Sequence, residues 1–185
     1  MSDKLQILGM AGSLRQKSFN RALLREAVQL APDEAEIEIF ELDGIPGFNQ
    51  DKEKDPPQKV KDLKQKVSKA DAILFVTPEY NYSVPGVLKN AIDWASRPYG
   101  DNSFKGKTAA IMGASTGMIG TARAQYHLRQ MFVFLGIHPV NQPEVLVARA
   151  KEKFDDQMKL TDDTSKDLMR KLLQNLVDWT KKING

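Results

Sequence analysis

The chain has 185 residues, 41% of them hydrophobic and 28% charged, enough for one globular domain that builds its own core without metal or disulfide staples. It contains no cysteine, which excludes disulfides, thiol redox chemistry, iron–sulfur clusters and cysteine-type zinc sites, so any redox function needs a bound cofactor. The 27 basic and 24 acidic residues leave a formal charge of +3, too even a balance to point to a nucleic-acid or membrane partner.

In chain order, Leu5–Met10 reads as a short strand running into small residues. Ala22, Leu23 and Val28 give the stretch from about Asn20 to Ala31 one apolar side, as in a helix, and Pro32-Asp33 ends it. Residues 36–40 alternate polar and apolar, the pattern of a half-exposed edge strand. After a loop rich in glycine and proline, Val60, Leu63 and Val67 mark a helix face. Residues 70–76 form an apolar run broken only by Asp71, as in a strand buried on both faces. Ser83 is expected to cap a helix with Pro85 in its first turn, continued by Leu88, Ala91, Ile92 and Ala95. Residues 108–112 form another buried strand ending at Gly113. Leu128, Met131, Phe132 and Leu135 share a helix face that Gly136 ends, and a last strand starts at Ile137. Leu168 to Val177 carry the final helix.

Five apolar strands alternating with five amphipathic helices predict an α/β fold with a doubly wound parallel sheet, residues 1–185 forming a single domain. Such sheets bind ligands beyond the carboxyl ends of their strands, where the strand order switches. The loops after the strands are therefore the candidate site.

The first loop, residues 9–20, offers hydroxyl donors at Ser13 and Ser18, an amide at Asn20 and a cationic fork at Arg15, with Gly12 admitting a close ligand. A helix N-terminus follows, and its free N–H groups favour an anion. Together these describe a phosphate-monoester site. No G-x-G-x-x-G follows the first strand, which argues against a dinucleotide site. Gly106-Lys107-Thr108 precedes its strand and has Asp101 where a P-loop needs glycine. The second loop, residues 77–86, gathers Tyr80, Asn81 and Tyr82; a planar ring could lie against either tyrosine, or the tyrosines could simply cap the core. The third, residues 113–121, is rich in glycine and small hydroxyls that let backbone N–H groups face a ligand.

These segments resemble the NADPH-dependent FMN reductase family, a flavodoxin-like branch that includes quinone and chromate reductases. The match is carried by Gly12-Ser13-Leu14-Arg15 with Ser18 and Asn20, by residues 78–94, and by Gly113-Ala114-Ser115 to Gly117, Gly120, Arg123 and Gln125. The resemblance implies a flavodoxin-like five-stranded sheet of order 2-1-3-4-5. It implies that Ser13, Arg15, Ser18 and Asn20 hold the FMN phosphate. It also implies that Pro78, Glu79, Tyr80 and Asn81 line the ribityl chain and flavin ring, and that Ser115, Thr116 and Gly117 meet the pyrimidine edge. It further implies NADPH or NADH as donor and a homodimer or homotetramer, with Tyr80, Tyr82, Arg123 and Arg129 near the subunit boundary.

The expected function is transfer of hydride from NAD(P)H through FMN to quinones, free flavin or similar small-molecule acceptors, chromate and azo compounds among them. Flavin chemistry asks the protein for position and electrostatics, so no side chain is assigned as catalytic. His127 and His138 stand apart without a carboxylate pattern, and no metal site is expected. Asp155-Asp156 and Asp162-Asp163 read as turns and caps. The alternative is a flavodoxin-like electron carrier without NAD(P)H oxidation of its own; carriers of that kind are usually strongly acidic, and this chain is mildly basic. With no apolar signal segment at its start and no run of membrane-spanning length, the chain is expected in the cytoplasm. Residues 147–163 have no assigned role.

Overall fold

The structure, a computed structural model, describes residues 4–185. Strand β1 (Leu5–Ala11) pairs in parallel with β2 (Ala35–Phe40) on one side and β3 (Ala72–Val76) on the other. Beyond β3 lies β4 (Thr108–Ala114), then β5 (His138–Pro139), giving the order β2-β1-β3-β4-β5. This is the expected doubly wound, flavodoxin-like topology. One detail differs. The fifth position is shared by two short strands: β5 pairs with the start of β4, and β6 (Val145–Val147) pairs with its end. Pro139 and Pro143 flank the break, and a proline has no N–H to give a sheet ladder.

The period-two alternation of the central strands builds two cores. Ile7, Leu74 and Val76 face helices α1 (Phe19–Gln29) and α6 (Asp163–Asn184), meeting Leu23, Leu172 and Leu176. Their neighbours Leu8, Ile73 and Phe75 face the other way, toward α2 (Gln58–Lys69), α3 (Gly86–Ala95) and α4 (Ala122–Leu135), where they join Leu63, Leu88 and Phe132. Both faces are thus covered, which is why β3 and β4 are buried throughout. A short helix, α5 (Ala150–Lys153), links β6 to α6.

Helix ends follow local chemistry. Ser18 caps α1, and its side-chain oxygen accepts from the Asn20 and Arg21 N–H groups. Gly136 ends α4 at φ +66°, a conformation glycine adopts without steric cost. Ser83 does not cap α3; Pro85 holds that position, and the Ser83 hydroxyl pairs with His127 instead. None of the helices among the described residues is long and apolar enough to cross a membrane.

Candidate flavin site

The strand order switches between β1 and β3, and their carboxyl ends are fastened together by the Gly12 N–H donating to the Val76 carbonyl at 2.9 Å. Gly12 is needed for packing: a Cβ there would lie 2.8 Å from Pro85 Cγ and 3.2 Å from Leu88 Cβ. It lets the first loop press onto α3.

A cavity of about 150 Å³ opens beside this point. The first loop lines it with Arg15, Ser18, Phe19 and Asn20, the second with Pro78, Glu79 and Tyr80, and the third with Ala114, Ser115 and Thr116. Three segments separated by dozens of residues therefore meet in one hollow at the sheet's carboxyl edge. Ser13, Asn81 and Gly117 lie outside its lining. Ser13 is buried and its Oγ accepts from the Arg15 N–H at 3.4 Å, so it shapes the loop. Asn81 is exposed on a turn, and the Gly117 N–H donates to Ser115 Oγ at 3.1 Å.

Anion-binding groups gather at the first-loop end. Ser18 spends its lone pairs on the first turn of α1 and keeps its O–H to donate. That turn carries no acidic residue to compete with a bound anion. Arg15 is exposed, with its guanidinium 5.9 Å from the Phe19 ring centroid. Asn20 is largely committed elsewhere: its Nδ2 donates to the Ala114 carbonyl at 2.9 Å, and its Oδ1 accepts from the Ala114 N–H at 2.8 Å. One N–H of that amide remains for a ligand.

The second loop turns sharply after Glu79. Tyr80 and Ser83 exchange two backbone hydrogen bonds, and the residues between them are left-handed, Asn81 at φ +50° and Tyr82 at φ +62°. Such a turn is easy for asparagine and strained for tyrosine. It leaves the Tyr80 and Tyr82 rings exposed. The Glu79 carboxylate faces the start of α4, accepting from the Arg123 and Ala124 N–H groups. Arg129 does not project freely: its guanidinium donates to the Val140 carbonyl, and burial lowers its pKa.

The third loop is buttressed by the segment that had no assigned role. The Ser115 N–H donates to the Val147 carbonyl, while the Arg149 and Ala150 N–H groups donate to the carbonyls of Gly117 and Ser115, each at 2.9 Å. Arg149 is left-handed at φ +49°, and nothing in its local sequence announces this contact.

Larger hollows lie elsewhere. Those of about 450 Å³ between α3 and α4, 350 Å³ beside α6 and 200 Å³ beside β1 draw on none of the loops after β1, β3 and β4, whereas one of about 410 Å³ sets Ser83 and Val84 of the second loop against His127, Gln130 and Met131 of α4.

The fold and the three-loop cavity define a flavodoxin-like protein with a cavity at its switch point. The comparisons agree. Residues 5–152 match the model of the NADPH-dependent FMN reductase family. An NAD(P)H-dependent FMN reductase of Pseudomonas aeruginosa is 50% identical over the whole of both chains. A 2-hydroxy-1,4-benzoquinone reductase of a Burkholderia species is 39% identical, covering 96% of this chain and 97% of its own. The solved flavoenzyme NAD(P)H:(acceptor) oxidoreductase of Paracoccus denitrificans superposes with a TM-score of 0.88 at 38% identity, covering 96% of this chain and 98% of its own. The chain belongs to the NADPH-dependent FMN reductase family.

Proposed function

We propose that this chain is an NAD(P)H-dependent, FMN-containing reductase of quinones and similar small acceptors, residues 1–185 forming one catalytic domain. The observation that carries this reading is the convergence of Arg15, Ser18, Tyr80 and Ser115 on one cavity at the switch point. The donor set fits FMN. The free Ser18 O–H, the acid-free first turn of α1 and the Arg15 guanidinium suit a phosphate dianion. The cavity has room for the phosphate and part of its polyol chain, leaving the tricyclic ring to the rim.

When bound, FMN supplies two-electron chemistry between a nicotinamide donor and the acceptor. The chain's own residues hold and orient it. Ser18 and the N-terminus of α1 would fix the phosphate, and Arg15 would close over it. Ser115 and Thr116, on a loop braced by residues 147–150, would meet the polar edge of the ring. Tyr80, 54% exposed, stands at the rim, where it would flank a bound ring and leave room for a donor or acceptor to approach from solvent. The Burkholderia relative, named for a benzoquinone, favours quinones as acceptors; free flavin, chromate and azo compounds are further candidates of the same open design. Cytoplasmic NAD(P)H is the natural donor pool.

The reading extends to a homodimer or homotetramer. Val133 and Phe134, near the end of α4, are 85% and 79% exposed, beside the hollow of about 450 Å³. Paired apolar side chains in the open, next to a recess, suit a second copy.

The test is spectroscopic. Protein mixed with FMN and desalted should retain a flavin band that bleaches on anaerobic mixing with NADPH and returns on adding a quinone. A retained band that both NADPH and NADH leave oxidised would favour the electron carrier. No flavin retention, together with no turnover on free FMN, would sink the reading.

A further inference from the structure

Helix α4 begins without a cap of its own. Its N-cap residue, Thr121, is left-handed at φ +73°, and its hydroxyl accepts from the Gln125 side chain instead of capping a backbone N–H of the first turn. The N–H groups of a first turn need an acceptor. Here it comes from another loop: Glu79, 44 residues earlier, accepts the Arg123 N–H at 3.0 Å and the Ala124 N–H at 3.3 Å. Its second oxygen accepts from Arg123 Nη1 at 3.1 Å. The carboxylate is shielded, its side chain 11% exposed, and it sits against the positive end of the helix dipole.

The same helix holds the rest of the loop. The Arg123 guanidinium lies 3.8 Å from the centre of the Tyr82 ring. One turn further along α4, His127 Nδ1 is 2.9 Å from the Ser83 hydroxyl. The turn is therefore gripped before, within and after its two left-handed residues, always by α4. Without that grip, only the two backbone hydrogen bonds between Tyr80 and Ser83 would oppose the strain of a left-handed tyrosine at position 82.

We propose that Glu79 is a positioning residue: by capping α4 from the second loop, it holds the Tyr80–Ser83 turn in the shape that seats the flavin ring. The proposal rests on the reading of the cavity as an FMN site. It gives Glu79, which lines the cavity, a second task that acts through Arg123 and Ala124.

Binding of FMN and of riboflavin, each followed by fluorescence quenching and visible circular dichroism, tests it. Glu79→Ala should weaken both flavins by the same factor, about tenfold, the scale of one lost charge-assisted hydrogen bond. The flavin dichroism should change with it. Glu79→Gln keeps an acceptor oxygen and should recover most of the loss. A helix cap with no positioning role would lower only the melting temperature; folded Glu79→Ala protein with wild-type affinity and dichroism overturns the proposal. If Glu79→Ala does not fold, Arg123→Ala keeps the backbone caps and removes the Tyr82 contact. It should then weaken both flavins equally by a smaller factor, and unchanged binding would again overturn the proposal. Wild-type protein that binds neither flavin sinks the FMN reading itself, whereas wild-type binding with a silent Glu79→Ala sinks this proposal alone.

Discussion

Asn20 and Ala114 exchange two hydrogen bonds across 94 residues of sequence, the Asn20 amide closing on both backbone polar groups of Ala114 at 2.9 and 2.8 Å. The contact ties the first turn of α1 to the end of β4, so the first loop and the third loop are set relative to each other by one side chain. Both residues are buried. Asn20→Ala would leave a buried N–H and a buried C=O unpaired, at about 1–3 kcal/mol each. We expect a loss of about 2–4 kcal/mol in urea unfolding. Asn20→Asp, which cannot donate to the Ala114 carbonyl, should not restore it. A loss below about 0.5 kcal/mol would mean that water or a shift of the loop satisfies Ala114.

Arg15 makes the opposite prediction. It is exposed and lines the cavity, so Arg15→Ala should leave stability within about 0.5 kcal/mol of wild type. Its expected partner is the phosphate, and a hydrogen bond to a charged group contributes about 1.5–3 kcal/mol. FMN affinity should therefore fall roughly ten- to hundredfold. Riboflavin, which lacks the phosphate, should bind as before. Equal weakening of both flavins would place Arg15 against the ring or in the loop's own structure.

How much of this was legible in the sequence depends on the range of the interaction. The order of elements, the edge character of β2 and the buried strands β3 and β4 were readable, because period-two and helical patterns are local. The three loops were readable as one site because a doubly wound sheet must bring its carboxyl ends together. What the sequence hid are contacts in which a polar side chain serves a distant backbone. Asn20 and Glu79 have the chemistry of ligand-binding groups, yet one closes on Ala114 and the other on α4. Ser83 likewise has the spacing of a cap but bonds His127 across 44 residues. The bracing of Ser115 and Gly117 by residues 147–150 is a backbone contact, which leaves no mark in residue type.

Asp162 was legible as a cap, and its chemistry gives a pH prediction. Its side chain accepts from the Ser165 N–H at 2.9 Å and from the Ser165 hydroxyl, with Lys153 Nζ at 3.1 Å. The Ser165 hydroxyl bond is the main cause that holds its carboxyl below the ordinary value of 3.8. A carboxylate whose pKa is depressed by folding stabilises the native state above the unfolded value and loses that contribution as pH falls through the folded value. Asp162→Ala should cost about 1 kcal/mol near neutral pH, the usual scale of an N-cap. Wild type and variant should converge as the pH drops below 3.8. Urea unfolding at both ends of that range checks it; a constant gap would assign the loss to packing rather than to the charge.

Phe134 tests the proposed oligomer. It is exposed, so Phe134→Asp removes little from the fold of one subunit, and helical circular dichroism should be preserved. In a symmetric dimer one substitution acts twice across the axis, placing two carboxylates in an apolar contact. Burial of an unpaired carboxylate is costly enough to outweigh the area a small interface gains. Wild-type protein should therefore sediment as a dimer or larger, and Phe134→Asp as a folded monomer. Equal masses for the two, with wild type associated, would move the subunit contact away from the end of α4. A monomeric wild type would instead make the exposed Val133 and Phe134 pair a surface of the single chain.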